Sequence, residues 1–123
     1  MPRFSERLAF PSEDGFYVGN NREGTSMPKG YWITAYRAVK DKDRLAKYAT
    51  LAAPAIAAGG GKYLVRGEAA HVYEAGVKAR TIVIEFDTVA AAIATHDSPA
   101  YQEALAALGD GAERDIRIVE GVA

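Results

Sequence analysis

Residues 81–86 read TIVIEF, and the alternation within them decides what must surround them. The run is rich in β-branched and aromatic side chains, which suits a strand, and successive side chains of a strand point to opposite faces. Ile82, Ile84 and Phe86 therefore share one face, while Thr81, Val83 and Glu85 share the other. The first set is apolar enough to lie beneath helices. The second sets a valine beside a carboxylate, a mixture that suits neither open water nor a sealed core.

Working upstream, Tyr31–Val39 (YWITAYRAV) has the same strand composition. Asp41 can cap the helix that follows, in which Leu45, Tyr48, Ala49, Ala52 and Ile56 recur at helical spacing. Pro54 falls inside that run, where it removes a backbone hydrogen bond and tends to kink the helix. Gly59-Gly60-Gly61 ends the helix, and Lys62–Arg66 (KYLVR) is a second strand, followed by an irregular connection over Ala69–Ala79. Downstream, Thr88 opens the alanine-rich helix VAAAIATH, and Ile116–Val122 (IRIVEGV) is a fourth strand. The order β-α-β-β-α-β predicts an α+β, ferredoxin-like fold. Its sheet should be four-stranded and mostly antiparallel, with two helices on one face.

The stretch HDSPAYQEAL, residues 96–105, sets a histidine, an aspartate and a serine side by side. A catalytic triad needs those groups chained by hydrogen bonds in space, whereas three consecutive side chains splay apart. Ser98 followed by Pro99 is instead an N-cap with proline at the first helical position. Tyr101, Ala104, Leu105 and Leu108 then form an apolar stripe that Gly109 stops. The stretch is a helix start.

The chain of 123 residues fits one domain with a modest core. Residues 1–26, interrupted by Gly, Asn, Ser, Pro and charges, read as an N-terminal extension, and the ferredoxin-like domain as residues 27–123, beginning near Met27. With no cysteine, disulfides and thiolate chemistry are excluded, and a formal net charge of −1 gives no electrostatic footprint for nucleic acid or an anionic membrane. No apolar run approaches the roughly 20 residues of a membrane helix, and the start of the chain carries no signal-peptide core, so the expected location is the cytoplasm. Gly59-Gly60-Gly61 follows a helix and precedes a strand, the reverse of the order that aims a helix N-terminus at phosphate.

Helices can cover only one face of the sheet. On the other, Val83 is joined by either Trp32, Thr34 and Tyr36 or Tyr31, Ile33 and Ala35, and neither set looks built for water. An exposed apolar face of several hundred Å² is a liability. The economical cover is a second copy packed sheet on sheet about a two-fold axis, so the expected partner is the chain itself, as a homodimer.

KGYWI, APAIAAGGGKYLVRG, VIEFD, HDSPAYQEAL and RIVEGV occur in that order between Lys29 and Val122 and together resemble the domain of unknown function family 1330. The resemblance implies a ferredoxin-like fold of the dimeric α/β-barrel superfamily and supplies no reaction. It also implies an arginine soon after the Ala-Leu run of the second helix, where this chain has LGDGAERD and Arg114 stands as the replacement.

Glu85 is the catalytic candidate, because an isolated buried charge is expensive and a carboxylate so placed has to be paired, hydrogen-bonded or protonated. Its structural alternative is an ion pair with Arg66 or Arg37. Arg66 can hold a carboxylate or phosphate through its planar fork, and Tyr36, Tyr63 and Tyr101 can line a pocket or simply pack. Arg66, Tyr36 and Tyr101 are taken as the substrate-binding candidates. His71 and His96 lack the spacing of a metal motif, so no metal and no cofactor is expected, and His96 is expected to interact with the carbonyls of a helix end. Two functions remain open. One is a binder of a small anionic or aromatic molecule, with cofactor-independent catalysis in a sheet-lined pocket. The other is a non-catalytic dimeric binding or assembly module.

Overall fold

The first crossover begins at Asp41, whose carboxylate accepts the backbone N–H groups of Asp43 and Arg44. It thereby satisfies two of the donors that every helix start leaves unpaired. The computed structural model describes residues 28–123. Within it, Lys29–Glu120 form one compact unit. The extension expected over residues 1–26 lies outside the described residues.

The elements are β1 (Gly30–Val39), α1 (Lys42–Ala58), β2 (Lys62–Glu68), β3 (Arg80–Phe86), α2 (Val89–His96), α3 (Pro99–Leu108) and β4 (Ala112–Glu120). The sheet runs β2-β3-β1-β4, and every pairing is antiparallel. This is the ferredoxin-like α+β arrangement expected from the order of elements, with one difference. The second crossover is two helices rather than one, so three helices accompany the sheet. Their junction lies at Asp97 and Ser98, where Ser98 donates both its N–H and its hydroxyl to the Thr95 carbonyl and accepts the Tyr101 N–H on its oxygen. Pro99 has no N–H with which to continue α2, and it fits the first position of α3 without loss. The fourth strand spans Ala112–Glu120 in place of Ile116–Val122, because pairing to β1 recruits the polar AERD segment into the ladder.

Register assigns every side chain to a face. Trp32 pairs with Ile84 and Ile118, and Thr34 with Ile82 and Ile116, so these residues share the face covered by helices. Trp32, Ile84 and Phe86 meet Tyr48, Ala52 and Ile56 of α1 and Tyr101, Ala104 and Leu108 of α3 in one buried cluster. The Trp32 and Phe86 rings are stacked with centroids 6.1 Å apart, and Tyr101 meets Trp32 edge-on at 4.9 Å. Small alanines on the helices allow this close approach, since aromatic rings fill the volume between the layers. Tyr31, Ile33, Ala35, Val83 and Glu85 occupy the opposite face.

Two irregularities interrupt the ladders. The register of β2 on β3 shifts between Tyr63 and Val65, and that of β1 on β4 shifts between Tyr36 and Ala38. An extra residue in one strand reverses the alternation beyond it. Tyr63 opposite Ile84 and Arg66 opposite Ile82 consequently lie on the same, helix-covered face.

Candidate functional site

Between α1 and the sheet lies a cavity of about 300 Å³, at the small end of the range for small-molecule sites. Trp32, Ile82 and Ile84 of the sheet and Leu45, Ala52 and Ile56 of α1 form its apolar walls. The charged residues that line it are Lys42, Arg66, Arg80 and Arg114, all cations. Among the described residues, none of the four forms an ion pair with a carboxylate; the pairs present involve Lys29, Arg37, Arg44, His96 and Arg117.

Arg114 is brought to the cavity by the early start of β4, which sets it opposite Tyr36 of β1. Its guanidinium lies over the Tyr48 ring at 4.7 Å and over the Tyr36 ring at 5.7 Å. Aromatic faces attract the cation. Burial works against its charge, but the oxygens of Tyr48, Tyr101 and Tyr36 outweigh it and raise the guanidinium above its ordinary range, so Arg114 is a permanent cation. Arg66 lies over the Tyr63 ring at 4.6 Å.

Tyr48 lines the cavity, and its hydroxyl meets that of Tyr101 at 2.7 Å, either oxygen serving as the donor. Tyr101 sits behind it with no exposed surface. Burial first, and then the Tyr48 hydroxyl, raise the Tyr101 phenol well above the usual tyrosine range. Burial likewise raises Tyr63. Tyr101 therefore keeps its proton throughout the neutral range and is a donor rather than a base.

The structure divides the residues singled out in the sequence. Tyr36 and Arg66 line the cavity, and Tyr101 touches it through Tyr48. Glu85 does not join them. It lies across the sheet on the face without helices, where its carboxylate accepts a hydrogen bond of 3.0 Å from the Tyr31 hydroxyl. That bond is the main cause of a raised Tyr31 phenol. The ion pairs considered for Glu85 are not formed. Arg66 is on the other face, and Arg37 pairs instead with Asp115 at 3.5 Å. His96 also departs from expectation. It ends α2, but its Nδ1 meets Asp97 Oδ1 at 3.0 Å rather than a helix-end carbonyl, its ring packs against Trp32 and Tyr101, and its own carbonyl accepts the Gln102 side-chain N–H. His71 lies exposed beside Tyr73. No group of three or more His, Asp or Glu side chains among the described residues is placed to hold a metal ion, and no helix among them is long and apolar enough to cross a membrane.

Tyr48 and Thr34 were not among the site candidates, and Arg114 entered only as the replacement for the arginine that the family resemblance implies. Stepping back by two from Ile118 and Ile116 along β4 reaches Arg114 on the same face, but only once the strand is known to extend that far.

The family model of a domain of unknown function, DUF1330, matches residues 29–122. The chain belongs to this family. No curated protein matches it. Among solved structures, a protein of unknown function from Rhodopseudomonas palustris superposes with a TM-score of 0.64 at 14% identity, over 79% of this chain and 85% of that one. A dimeric ferredoxin-like protein of unknown function from Thermobifida fusca gives a TM-score of 0.55 at 18% identity, over 83% of this chain and 99% of that one. SnoaB, a cofactor-independent oxygenase from Streptomyces nogalater, gives 0.56 at 8% identity, over 78% of this chain and 95% of that one. At such identities the likeness of this DUF1330 chain to these proteins is one of fold.

Proposed function

We propose that this DUF1330 protein binds a small organic anion in the cavity between α1 and the sheet. The observation that carries the reading is the charge of the lining, four cations and no carboxylate, with Arg114 laid on tyrosine faces rather than paired. Arg114 is half-buried, and Lys42, Arg66 and Arg80 are exposed. A cation partly withdrawn from water without a counter-ion is unfavourable, and an incoming carboxylate offsets that while the apolar wall takes the rest of the ligand. In this reading Arg114 is the principal anchor, Arg66 approaches the same anion from β2, Tyr36 forms the wall, and Tyr101 orients Tyr48. The finer form of the proposal is an enzyme that works without a cofactor. Tyr48 is its proton donor, held in position by its hydrogen bond to Tyr101 and re-protonated from solvent in the cavity. The fold shared with SnoaB supports this form at the level of architecture alone.

The test is a thermal-shift titration with benzoate and a panel of small carboxylates. A ligand that binds only the folded state raises stability by RT ln(1 + [L]/Kd). Carboxylates should raise Tm in the wild type and not in Arg114→Met. An unchanged Tm across the panel, or an equal rise in both proteins, removes the proposal.

A second reading, a dimeric assembly module, is favoured by the face opposite the helices. Ile33, Ala35 and Val83 are only half-buried there, beside the Tyr31–Glu85 hydrogen bond, and Val65 and Val119 are more exposed still. A second copy laid on this face as a homodimer covers it, as the dimeric state of the Thermobifida fusca protein suggests. The two readings use opposite faces and are compatible.

A further inference from the structure

Thr34 is only 3% exposed, lines the cavity and accepts a hydrogen bond of 2.9 Å from the Trp32 indole N–H. A threonine hydroxyl carries one proton as well as its acceptor lone pairs. Among the described residues no acceptor takes the Thr34 proton. Its cross-strand neighbours are apolar, Ile82 on β3 and Ile116 on β4. A buried donor without a partner is rare and unfavourable in a folded protein, and an oxygen that already accepts a hydrogen bond donates a stronger one. The hydroxyl is thus a polarised donor set between apolar neighbours of the sheet.

Its distance from the anion site sets what can reach both. Arg114 faces Tyr36 across the β1–β4 ladder, and Thr34 lies two residues along β1 on the same face. Two residues of strand span roughly 6.6 Å. Side chains that rise from the same face with that backbone spacing suit a ligand about as long as a benzene ring carrying a carboxylate and a para substituent.

We propose that Thr34 selects, within the organic-anion site, ligands that carry an oxygen acceptor on the end remote from the carboxylate, so that the ligand class is para-oxygenated aromatic carboxylates. The proposal rests on the anion-binding reading given above. The Arg114 fork takes the carboxylate, the ring lies between the α1 wall and the sheet, and the Thr34 hydroxyl donates to the remote oxygen.

Isothermal titration with two size-matched probes tests it. The wild type should bind 4-hydroxybenzoate about tenfold more tightly than 4-methylbenzoate, the value of one good hydrogen bond in a dry site. 3-Hydroxybenzoate, whose oxygen is off the long axis, should show no such gain. Thr34→Val should erase the preference while leaving 4-methylbenzoate binding intact, and Thr34→Ser should retain the preference. Trp32→Phe should keep it in weakened form, which separates ligand recognition from a role confined to holding the indole. Should Thr34→Val fail to fold, Thr34→Ala replaces it, and the comparison of isomers on the wild type decides independently. Equal affinity of the wild type for the two para compounds, or a preference that survives in Thr34→Val, overturns the role of Thr34 and leaves the anion site standing. Binding of none of the three probes overturns the anion site and this inference with it.

Discussion

The Tyr48–Tyr101 pair makes an asymmetric prediction about stability. The two hydroxyls lie 2.7 Å apart, but Tyr101 has no exposed surface whereas Tyr48 opens onto the cavity. Removing the Tyr48 hydroxyl as Tyr48→Phe leaves the Tyr101 O–H with no acceptor among the described residues, at a cost of about 1–3 kcal/mol. Removing the Tyr101 hydroxyl leaves Tyr48 free to turn towards water in the cavity, so Tyr101→Phe loses only the net bond, about 0.5–1.5 kcal/mol. The double variant strands neither group and should cost less than the sum of the two, with a coupling of at least about 0.5 kcal/mol. For a domain of this size each kcal/mol moves Tm by roughly 4–8 °C. Urea unfolding followed by fluorescence reads this directly, because Trp32 is the single tryptophan and its ring touches Tyr101. Single variants that are equal in cost and add without coupling would refute the argument, since they would mean that neither hydroxyl depends on the other.

Further outcomes follow from other positions. A Cβ on Gly30 would lie 2.6 Å from the Thr88 carbonyl oxygen, whereas one on Gly67 meets nothing within 4 Å. Gly30→Ala should therefore destabilise by about 1–3 kcal/mol, the usual cost of overpacking, and Gly67→Ala should leave the urea midpoint near wild type. Asp115, doubly bonded to Arg117 at 3.0 and 3.1 Å and joined by Arg37, has its carboxyl held below the ordinary 3.8, with the Arg117 hydrogen bond as the largest cause. Its contribution to stability is complete above 3.8 and is lost as pH falls through the lower folded value. Asp115→Asn should flatten the acid limb of a Tm-versus-pH curve and leave its slope unchanged at neutral pH. Ile33→Lys places a charge in the middle of the open sheet face and should convert the homodimer proposed there to a monomer in light scattering. An unchanged mass would exclude that face as the interface.

The fold was legible because local signals agreed with one another. Alternation in TIVIEF assigned the right residues to the helix-covered face, whereas YWITAYRAV left two sets open until its register on β3 decided between them. Asp41, Thr88 and Ser98 each accept backbone N–H groups at the helix starts they mark. The site was legible only in part, and β2 shows why. An uninterrupted ladder from Tyr63 opposite Ile84 would carry Arg66 to the face of Glu85. The shift between Tyr63 and Val65 sends Arg66 to the other side instead, and no turn residue in KYLVR announces it. The placement of Arg114 beside Tyr36 was hidden for a different reason. AERD has no strand composition of its own and is extended because β1 offers it a partner, a tertiary effect that local pattern does not record. Glu85 was placed on the correct face, but its hydrogen-bond partner, Tyr31, comes from a strand far away in the chain.

The position of β1 also governs the order in which the molecule is assembled. It is an interior strand, and its neighbours, β3 and β4, both follow α1 and β2 in the chain, with Gly30 paired to Glu120 at one extreme. Such long-range pairing makes folding slow, because loop closure has to precede the contacts that reward it. During synthesis β1 leaves the ribosome early and remains without either neighbour until β3 is made, and with one edge open until β4 follows. Through that interval YWITAYRAV is an unpaired β-prone segment, the kind that chaperones hold and that aggregates capture. Protection of nascent chains is therefore expected to depend on β4, and shortening the chain before Ala112 should strand β1 half-paired and lower the yield of soluble protein far more than its loss of core would.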